Sequence, residues 1–268
     1  MTCGLITLFV TLLGAPFVLG LGWILGAQVA EPAPPIRPTP TLVAAMDAEI
    51  MLNYRVALPP DTFAFADVQA SASVIERRLD TLGIPYVGAV SYEPDRIRVG
   101  MNRDAPVDEL AEMLTRPGVF ELIEMHQLGD HALSLLNETV DTERYPDRGG
   151  FRNARTDAPF AVIVGSEHID RAEVSYDSAT GRSLVTVYFN EAGAERMRAY
   201  TSQHTGVPIG IVVDGVLELA PVIQGQVSDQ AVINMTEDDA AARRLAALIG
   251  SGALPVPLIL DKVEASEG

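Results

Sequence analysis

Four histidines and one cysteine are the residues of this sequence with the widest choice of catalytic and metal-binding chemistry. The histidines His126, His131, His168 and His204 include no pair four residues apart, the spacing that places two ligands on one face of a helix. A single cysteine, Cys3, leaves no partner for a disulfide within the chain and no set of thiolates for a metal ion. The sequence therefore predicts no metal site and no cofactor.

Two further stretches contain residue types that enzymes use. "SEH" at 166–168 places a serine beside a histidine, but a nucleophile and its base need an arrangement in space that adjacency does not supply. We interpret it as the turn that follows a strand. The acidic run "TEDDAA" at 236–241 is typical of the first turn of a helix, where carboxylates interact favourably with the helix dipole. No acid–base pair or nucleophile supports an enzyme, and we predict that the chain is not one.

The charge balance limits the partners of the chain. Its 268 residues include 19 basic and 36 acidic side chains, which give a net charge of −17. Nucleic acids and anionic lipid headgroups are bound through lysine and arginine contacts to phosphate, so we do not expect these partners. The length suffices for one large domain or two small ones once a targeting segment is set aside.

The N-terminal region has the composition of a membrane anchor followed by a linker. Residues 5–27 include no charge over 23 positions, and a helix of this length, about 34 Å, would cross a hydrocarbon core of about 30 Å. A cleaved signal peptide is the alternative, although the stretch lacks a basic start and a clean A-x-A cleavage site. Residues 28–44 form a proline-rich linker, in which five prolines between positions 31 and 41 favour an extended chain.

The next segment, up to about residue 126, predicts a β-α-β-β-α-β order, the ferredoxin-like arrangement with both helices on one face of the sheet. The apolar residues of the two helices recur at three- and four-residue steps. The first helix is expected from a cap at Asp67 to a stop at Gly83, and the second from a cap at Asp104 to Pro117. The closing strand is predicted at Val119 to Met125.

Two groups of polar residues are interpreted as solvent-exposed. The arginine pairs at 77–78 and 243–244 lie on predicted helices, and we assign them to solvated helix faces. The stretch 127–157 has neither a helical nor a strand period, and it is predicted to be a loop or a partly mobile insertion.

A second unit, to about residue 250, predicts an α+β fold with mainly antiparallel pairing. A hairpin is expected around "DSATG" at 177–181, and the helix after it is expected to be capped by Asn190. Asp214-Gly215 separates two alternating apolar runs, the pattern of a two-residue type I′ hairpin. Thr236 with Asp239 predicts a capping box for the last helix.

The second unit and its exit resemble a known family. "VGSEHIDRAEVSYDSATGRSLVTVYFN", "GIVVDGVLELAPVIQGQV" and the later "AARRLAALIGSGALPVPL" are similar, in the same order, to the first extracytoplasmic domain of SecD. SecD is a membrane subunit that assists the Sec protein-export channel. "VIERRLDTLGI" in the first unit is similar to the base of that domain. The resemblance covers roughly residues 50–262.

The resemblance implies a ferredoxin-like base over 45–126, completed by 253–262, and an antiparallel α+β head over 127–252 that is inserted into it. In SecD the head is thought to bind emerging polypeptide and to move relative to the base, driven by protons that cross a multi-helix membrane domain. After Lys262 this sequence contains six residues, so we expect the domain without that motor. We expect it on the extracytoplasmic side of the plasma membrane.

The resemblance and the predicted anchor suggest a non-catalytic, single-pass module that binds unfolded exported polypeptide or components of the Sec translocon. Strand edges or the apolar hairpin of the head would supply the surface, with an ordinary core hairpin as the alternative. A structural or assembly protein that kept the fold without a translocase role is the second hypothesis. The candidate binding residues are Val213, Val216, Leu217, Leu219 and Val222.

Overall fold

The computed structural model describes most of the chain beyond its N-terminal region as a mixed α+β fold. The described residues are 7–8, 49–125, 134–146, 148–153, 156–177, 182–234 and 239–265. The helices are α1 (Phe65–Leu82), α2 (Val107–Thr115), α3 (Glu191–Thr201) and α4 (Asp239–Ser251). The first seven strands are β1 (Thr7–Leu8), β2 (Ile50–Val56), β3 (Tyr86–Glu93), β4 (Arg96–Met101), β5 (Phe120–Glu124), β6 (Val162–Gly165) and β7 (Ile169–Asp177). The others are β8 (Arg182–Phe189), β9 (Ile209–Val213), β10 (Val216–Leu219), β11 (Val222–Ile223), β12 (Gln230–Asn234) and β13 (Leu258–Ala265).

The first sheet has the strand order β13-β2-β4-β3 and is antiparallel throughout. Its inward residues alternate along each strand, as a half-buried sheet requires. Leu52 and Tyr54 of β2 and Ile97 of β4 pack on one face against the apolar stripes of α1 and α2. Arg96 and Arg98 occupy the alternate positions of β4, which places them on the other face.

The strand predicted at Val119 to Met125 differs from its expected position. It forms β5, which pairs with β6 and β9 in another sheet, and β13 lies beside β2 instead. Four consecutive residues of β5, Phe120–Ile123, are buried. A strand buried on both sides needs cover on both faces, whereas one face of the first sheet carries charged side chains.

The remaining strands form two antiparallel sheets and a short parallel pair. The second sheet has the order β10-β9-β5-β6, and the third has the order β12-β8-β7. All five residues of β9 are buried, which explains why its sequence is a continuous apolar run with no polar alternation. Helix α4 packs against α1 and also against β7 and β8, so it connects the first sheet's helical layer with the third sheet.

Several turn and cap predictions are confirmed. Asp214 and Gly215 have φ of 54° and 88°, the two positive values that a type I′ turn needs. The Asn190 side chain caps α3 by accepting a 3.0 Å hydrogen bond from the Gly193 amide. Gly83 ends α1 with φ of 70°, in the left-handed region.

The starts of two helices differ from the predictions. Helix α1 begins at Phe65, and Asp67 lies in its first turn, where its carboxylate accepts a 2.8 Å hydrogen bond from the Ala64 amide. Helix α2 begins at Val107, directly after its N-cap residue Pro106, so Asp104 lies three residues before the helix and does not cap it. The "SATG" part of the predicted hairpin turn and Thr236 lie outside the described residues.

The irregular stretch between β5 and β6 packs more closely than its sequence predicts. Val140 and Phe160 are completely or almost completely buried, and so are the polar residues Asp141 and Thr142. Isolated β-bridges, including Val140 with Phe151, link its turns. The prediction of a loop is confirmed for its described residues, but they form an ordered layer with its own apolar cluster.

The predicted membrane helix falls almost entirely outside the described residues. Its residues Thr7 and Leu8 form β1, which pairs in parallel with Val222 and Ile223 of β11, so these two positions differ from the helical prediction. Within the described ranges, no helix combines the length and the apolar character needed to span a membrane. The linker at 28–44 also lies outside the described residues.

Candidate functional site

Four of the five candidate binding residues lie on the second sheet, on both of its faces, and the fifth lies on β11. Val213 and Leu217 are buried, on opposite faces, while the other three are half-buried. Val213 pairs with Val216 across the hairpin turn. Val222 lies on β11, beside Pro208 and Thr7. The structure therefore brings the first four together in one hairpin and places Val222 on the adjoining strand.

The outer edge of β10 is occupied by another part of the chain. Residues 134–146, which we call the strap, run along this edge, and Thr139 forms an antiparallel bridge with Val216. Three backbone hydrogen bonds hold the two together. They run from the Asn137 amide to the Leu217 carbonyl at 2.8 Å, from the Leu217 amide to the Glu138 carbonyl at 3.0 Å, and from the Val140 amide to the Gly215 carbonyl at 2.9 Å.

The strap also covers one face of the second sheet. Val140 of the strap packs against Val212 and Leu217, with Leu135 and Leu136 half-buried at the same cluster. The opposite face contributes to the larger core shared with α3, α4 and the third sheet. The second sheet therefore has apolar side chains on both faces, and an irregular segment is the cover on one of them.

A buried carboxylate lies beneath the strap. Glu121 of β5 is 0% exposed and accepts hydrogen bonds from the Thr142 hydroxyl at 3.1 and 3.2 Å. Arg148 Nη1 lies 3.5 Å from its Oε2, and the same guanidinium stacks 4.0 Å above the ring of Tyr145. Burial raises the pKa of Glu121, while Arg148, Thr142 and Arg144 act in the opposite direction. A carboxyl group in such a site binds a proton more readily than one in water.

A completely buried arginine joins the first sheet's helices to the rest of the fold. The prediction that Arg78 lies on a solvated helix face is wrong, because the residue is 0% exposed. Its guanidinium donates to the carbonyl oxygens of Met113, Leu114, Arg116 and Pro117 at 3.2, 3.4, 2.6 and 3.1 Å. Its Nε donates to the Ser251 hydroxyl at 3.2 Å. A cation at the C-terminal ends of two helices, α2 and α4, is favoured by their dipoles.

The sequence contained a signal for Arg78 that its charge obscured. Arg78 follows Ser71 by seven residues and Ile75 by three, and these spacings place it beside the apolar face of α1. Burial lowers the pKa of Arg78 to about 10, with Arg116 and Arg77 contributing and Asp214 opposing, so the side chain stays charged at neutral pH. Arg243, in contrast, is exposed and pairs with Asp239 at 2.8 Å, as expected for a solvated helix face.

Asp214 connects the hairpin turn to the segment at 116–119, which Arg78 also binds. Its Oδ1 accepts from the Val119 amide at 2.8 Å, and its Oδ2 accepts from Arg116 Nε at 3.0 Å. The chain passes between the first sheet and the rest of the fold twice, at 116–119 and at 251–254, and the Leu254 amide donates to the Pro117 carbonyl at 2.7 Å. We call these two segments the crossing. Arg78 binds both of its segments, and Asp214 binds the first.

The residues considered for catalysis have structural partners. The Ser166 hydroxyl accepts from the Phe120 amide at 2.8 Å, and His168 Nδ1 accepts from the Gly165 amide at 3.1 Å. His126 and His131 lie outside the described residues. Among the residues that the structure describes, no group of three His, Cys, Asp or Glu side chains is placed to hold a metal ion.

Comparison with known proteins identifies relatives in protein export. Residues 144–256 match the family model of the SecDF P1 head subdomain. The protein translocase subunit SecD of Magnetococcus marinus is 25% identical over 221 residues, which are 80% of this chain and 42% of the relative. The protein translocase subunit SecDF of Thermus thermophilus is 36% identical over 207 residues, which are 74% of this chain and 28% of the relative. The chain therefore spans less than half the length of these relatives.

The fold has solved counterparts. A structure described as a membrane component SecDF that enhances protein export aligns with a TM-score of 0.57 at 21% identity, over 81% of this chain and 100% of that chain. SecDF in its super-membrane-facing form aligns with the same TM-score at 20% identity. At these identities the likeness concerns the fold, and it agrees with the mixed α+β architecture and antiparallel sheets. The family model and the SecD relatives show that this chain is similar to the SecD family over most of its described residues.

Proposed function

We propose that this chain is a membrane-anchored SecD-like module whose head binds extended polypeptide in protein export, without catalysing a reaction. The observation that carries the proposal is the second sheet. It has apolar side chains on both faces, and its terminal strand β10 already accepts an additional segment of chain in antiparallel register. Addition of a strand to a sheet edge is a recurring way in which proteins bind extended polypeptides, since backbone hydrogen bonds are independent of sequence.

The proposed domain division follows the strand order. The order β13-β2-β4-β3, with α1 and α2 packed on one face, supports a ferredoxin-like base formed by the chain up to the crossing and by β13. The second and third sheets with α3 and α4 would form the head. The base would thus have three strands until the chain returns from the head and adds β13 as the fourth. The crossing would then be the covalent connection between the head and the base.

The proposed placement rests on the sequence of the N-terminal region. Residues 5–27 would form a single membrane-spanning helix, and 28–44 would hold the domain away from the bilayer on its extracytoplasmic side. Polypeptides in transit and components of the Sec translocon would be the partners. The net charge of −17 supports this choice over nucleic acid.

Site-specific photocrosslinking during export tests the proposal. A photoreactive amino acid at Val216 or Val222 should form adducts with secreted chains in transit, because both residues are half-buried and lie in the hairpin and on the adjoining strand β11, respectively. The matched control is Arg103, whose side chain is 66% exposed and which lies in the first sheet's loop after β4. Equal labelling from Arg103 and from the hairpin positions would reject polypeptide binding by the head.

A further inference from the structure

We propose that the strap occupies, within the same molecule, the groove in which an extended apolar polypeptide binds, so that polypeptide must displace the strap from the β10 edge. The proposal rests on the proposed function and assigns its binding surface. The groove consists of the β10 edge and the strap-side face of the second sheet. Its occupant is an extended, predominantly apolar segment of polypeptide chain.

The geometry of the strap defines what the groove accepts. The strap makes three backbone hydrogen bonds to Gly215 and Leu217, and it lies antiparallel to β10. Any extended chain offers the same donors and acceptors in the same register, whereas a helix has its own backbone groups already paired. The groove therefore selects an extended backbone.

The floor of the groove defines the side chains that it accepts. Ile123, Val212 and Leu217 are 0% exposed beneath the strap, and Val140 fills the space above them. Removal of the strap would expose these residues together, and a contiguous apolar patch of this kind is typical of an interaction surface. An incoming chain that places an apolar side chain where Val140 lies would restore the burial.

The strap is held by few interactions at the edge itself. These three backbone hydrogen bonds are worth on the order of 1 kcal/mol each, and the burial of Val140 adds to them. A competing chain that makes the same hydrogen bonds and fills the place of Val140 replaces both contributions, so it can shift the equilibrium toward the displaced strap. At its far side the strap is held to β5 by the hydrogen bonds from the Thr142 hydroxyl to Glu121, and to the chain before β6 by the hydrogen bond from the Phe160 amide to the Asp141 carbonyl at 2.8 Å. The strap can therefore leave β10 while these contacts keep it attached to the sheet.

A reversible covalent lock tests the proposal in the full chain. Thr139 and Val216 form a non-hydrogen-bonded pair of the antiparallel ladder, because the hydrogen bonds on either side are made by their neighbours. Cα atoms of such a pair are about 4.5 Å apart, within the range that a disulfide spans. The variant carries Thr139→Cys and Val216→Cys, with Cys3→Ser to remove the native thiol. Oxidation should fix the strap on β10, and reduction should release it.

The readout is fluorescence anisotropy of a fluorescein-labelled peptide of alternating valine and threonine with a lysine at each end, added to the detergent-solubilised chain. The oxidised variant should bind the peptide at least about tenfold more weakly than the same variant reduced. Val140→Ala, which loosens the strap and leaves the groove unchanged, should bind about fivefold or more tightly than the wild type. The Cys3→Ser chain with and without oxidant is the matched control, and thermal melts confirm that each form is folded.

The outcomes separate this proposal from the proposed function. Equal binding by the oxidised and reduced variants would overturn displacement of the strap and leave polypeptide binding by the head standing. No binding by any form, with Val140→Ala included, would overturn both. Tight binding by the reduced form and by Val140→Ala, with loss on oxidation, supports the groove as its site.

Discussion

Arg78 Nε donates a 3.2 Å hydrogen bond to the hydroxyl of Ser251, a residue 173 positions further along the chain. Through this bond and those to Arg116 and Pro117, one side chain of α1 binds both segments of the crossing. Arg77 adds two hydrogen bonds to the Ser251 carbonyl at 3.1 and 2.8 Å. Two adjacent arginines of α1 thus hold the second segment of the crossing, and Arg78 also holds the first.

Replacement of Arg78 should destabilise the whole fold. Arg78→Met removes a buried cation and leaves several buried carbonyl groups without a donor, and we expect a loss of about 3 kcal/mol or more in unfolding free energy. Arg78→Lys should lose less, because lysine keeps the charge and lacks the guanidinium's planar set of donors. Urea unfolding followed by circular dichroism measures both. Arg103→Ala, at an exposed site, is the control and should change the unfolding free energy by less than about 0.5 kcal/mol. A similarly small effect of Arg78→Met would show that the crossing does not depend on Arg78.

Alanine substitutions at two glycines distinguish the penalty of backbone strain from that of steric crowding at the crossing. Gly118 and Gly149 both have φ of 75°, so an alanine at either position should lose about 1 kcal/mol through backbone conformation. A Cβ at Gly118 would lie 2.4 Å from Arg78 Nη2, whereas a Cβ at Gly149 would have no atom within 4 Å. We therefore expect Gly118→Ala to lose a further 1–3 kcal/mol, about the usual penalty of overpacking, in thermal or urea unfolding. Equal losses for the two variants would mean that Arg78 moves aside without penalty.

Glu121 should make the unfolding free energy depend on pH. Because burial raises its pKa in the folded state, its contribution to stability is complete below its ordinary pKa of 4.5 and is lost as the pH rises through the raised value. Glu121→Gln cannot ionise and keeps hydrogen-bonding capacity toward Thr142. The unfolding free energy of the variant minus that of the wild type should therefore increase from pH 4 to pH 7, as measured by urea unfolding.

Glu167 is the matched control for this pH dependence, with the opposite sign expected. Burial would raise its pKa, but hydrogen bonds from its own backbone and from Arg144 lower the pKa overall. The difference between Glu167→Gln and the wild type should accordingly decrease as the pH rises through the acid range. A decrease for Glu121→Gln as well would show that Arg148 dominates and that the Glu121 carboxylate is favoured in the fold.

Tyr54 presents a buried hydroxyl whose loss should be tolerated. It is 0% exposed in the core of the first sheet, and its hydroxyl has no hydrogen-bond partner among the described residues. Tyr54→Phe removes an unsatisfied polar group and keeps the ring, so the unfolding free energy should stay equal or rise by up to about 1 kcal/mol. Tyr86→Phe is the contrast, because it removes a hydrogen bond to Asp80 and should lower the free energy slightly. A loss above about 1 kcal/mol for Tyr54→Phe would indicate an ordered water on its hydroxyl.

Local pattern was sufficient for much of the secondary structure. Asp214-Gly215 predicted its turn, Asn190 its cap and Gly83 the end of its helix, because each depends on backbone conformation and hydrogen bonds within four residues. The run before Asp214 was predicted to alternate, whereas all five residues of β9 are buried.

The tertiary structure decided which distant segments meet. The local sequence of β5 does not reveal whether it pairs with β9 or with β2, since both sheets offer backbone hydrogen-bond partners. The same limit applies to the strap at β10, and to Arg78, whose charge predicts exposure until five buried acceptors are assembled around it. The sequence by itself determined the elements, their turns and their apolar faces, because those depend on neighbouring residues. The structure alone determined the crossing and the covered groove, because both depend on contacts between residues far apart in the chain.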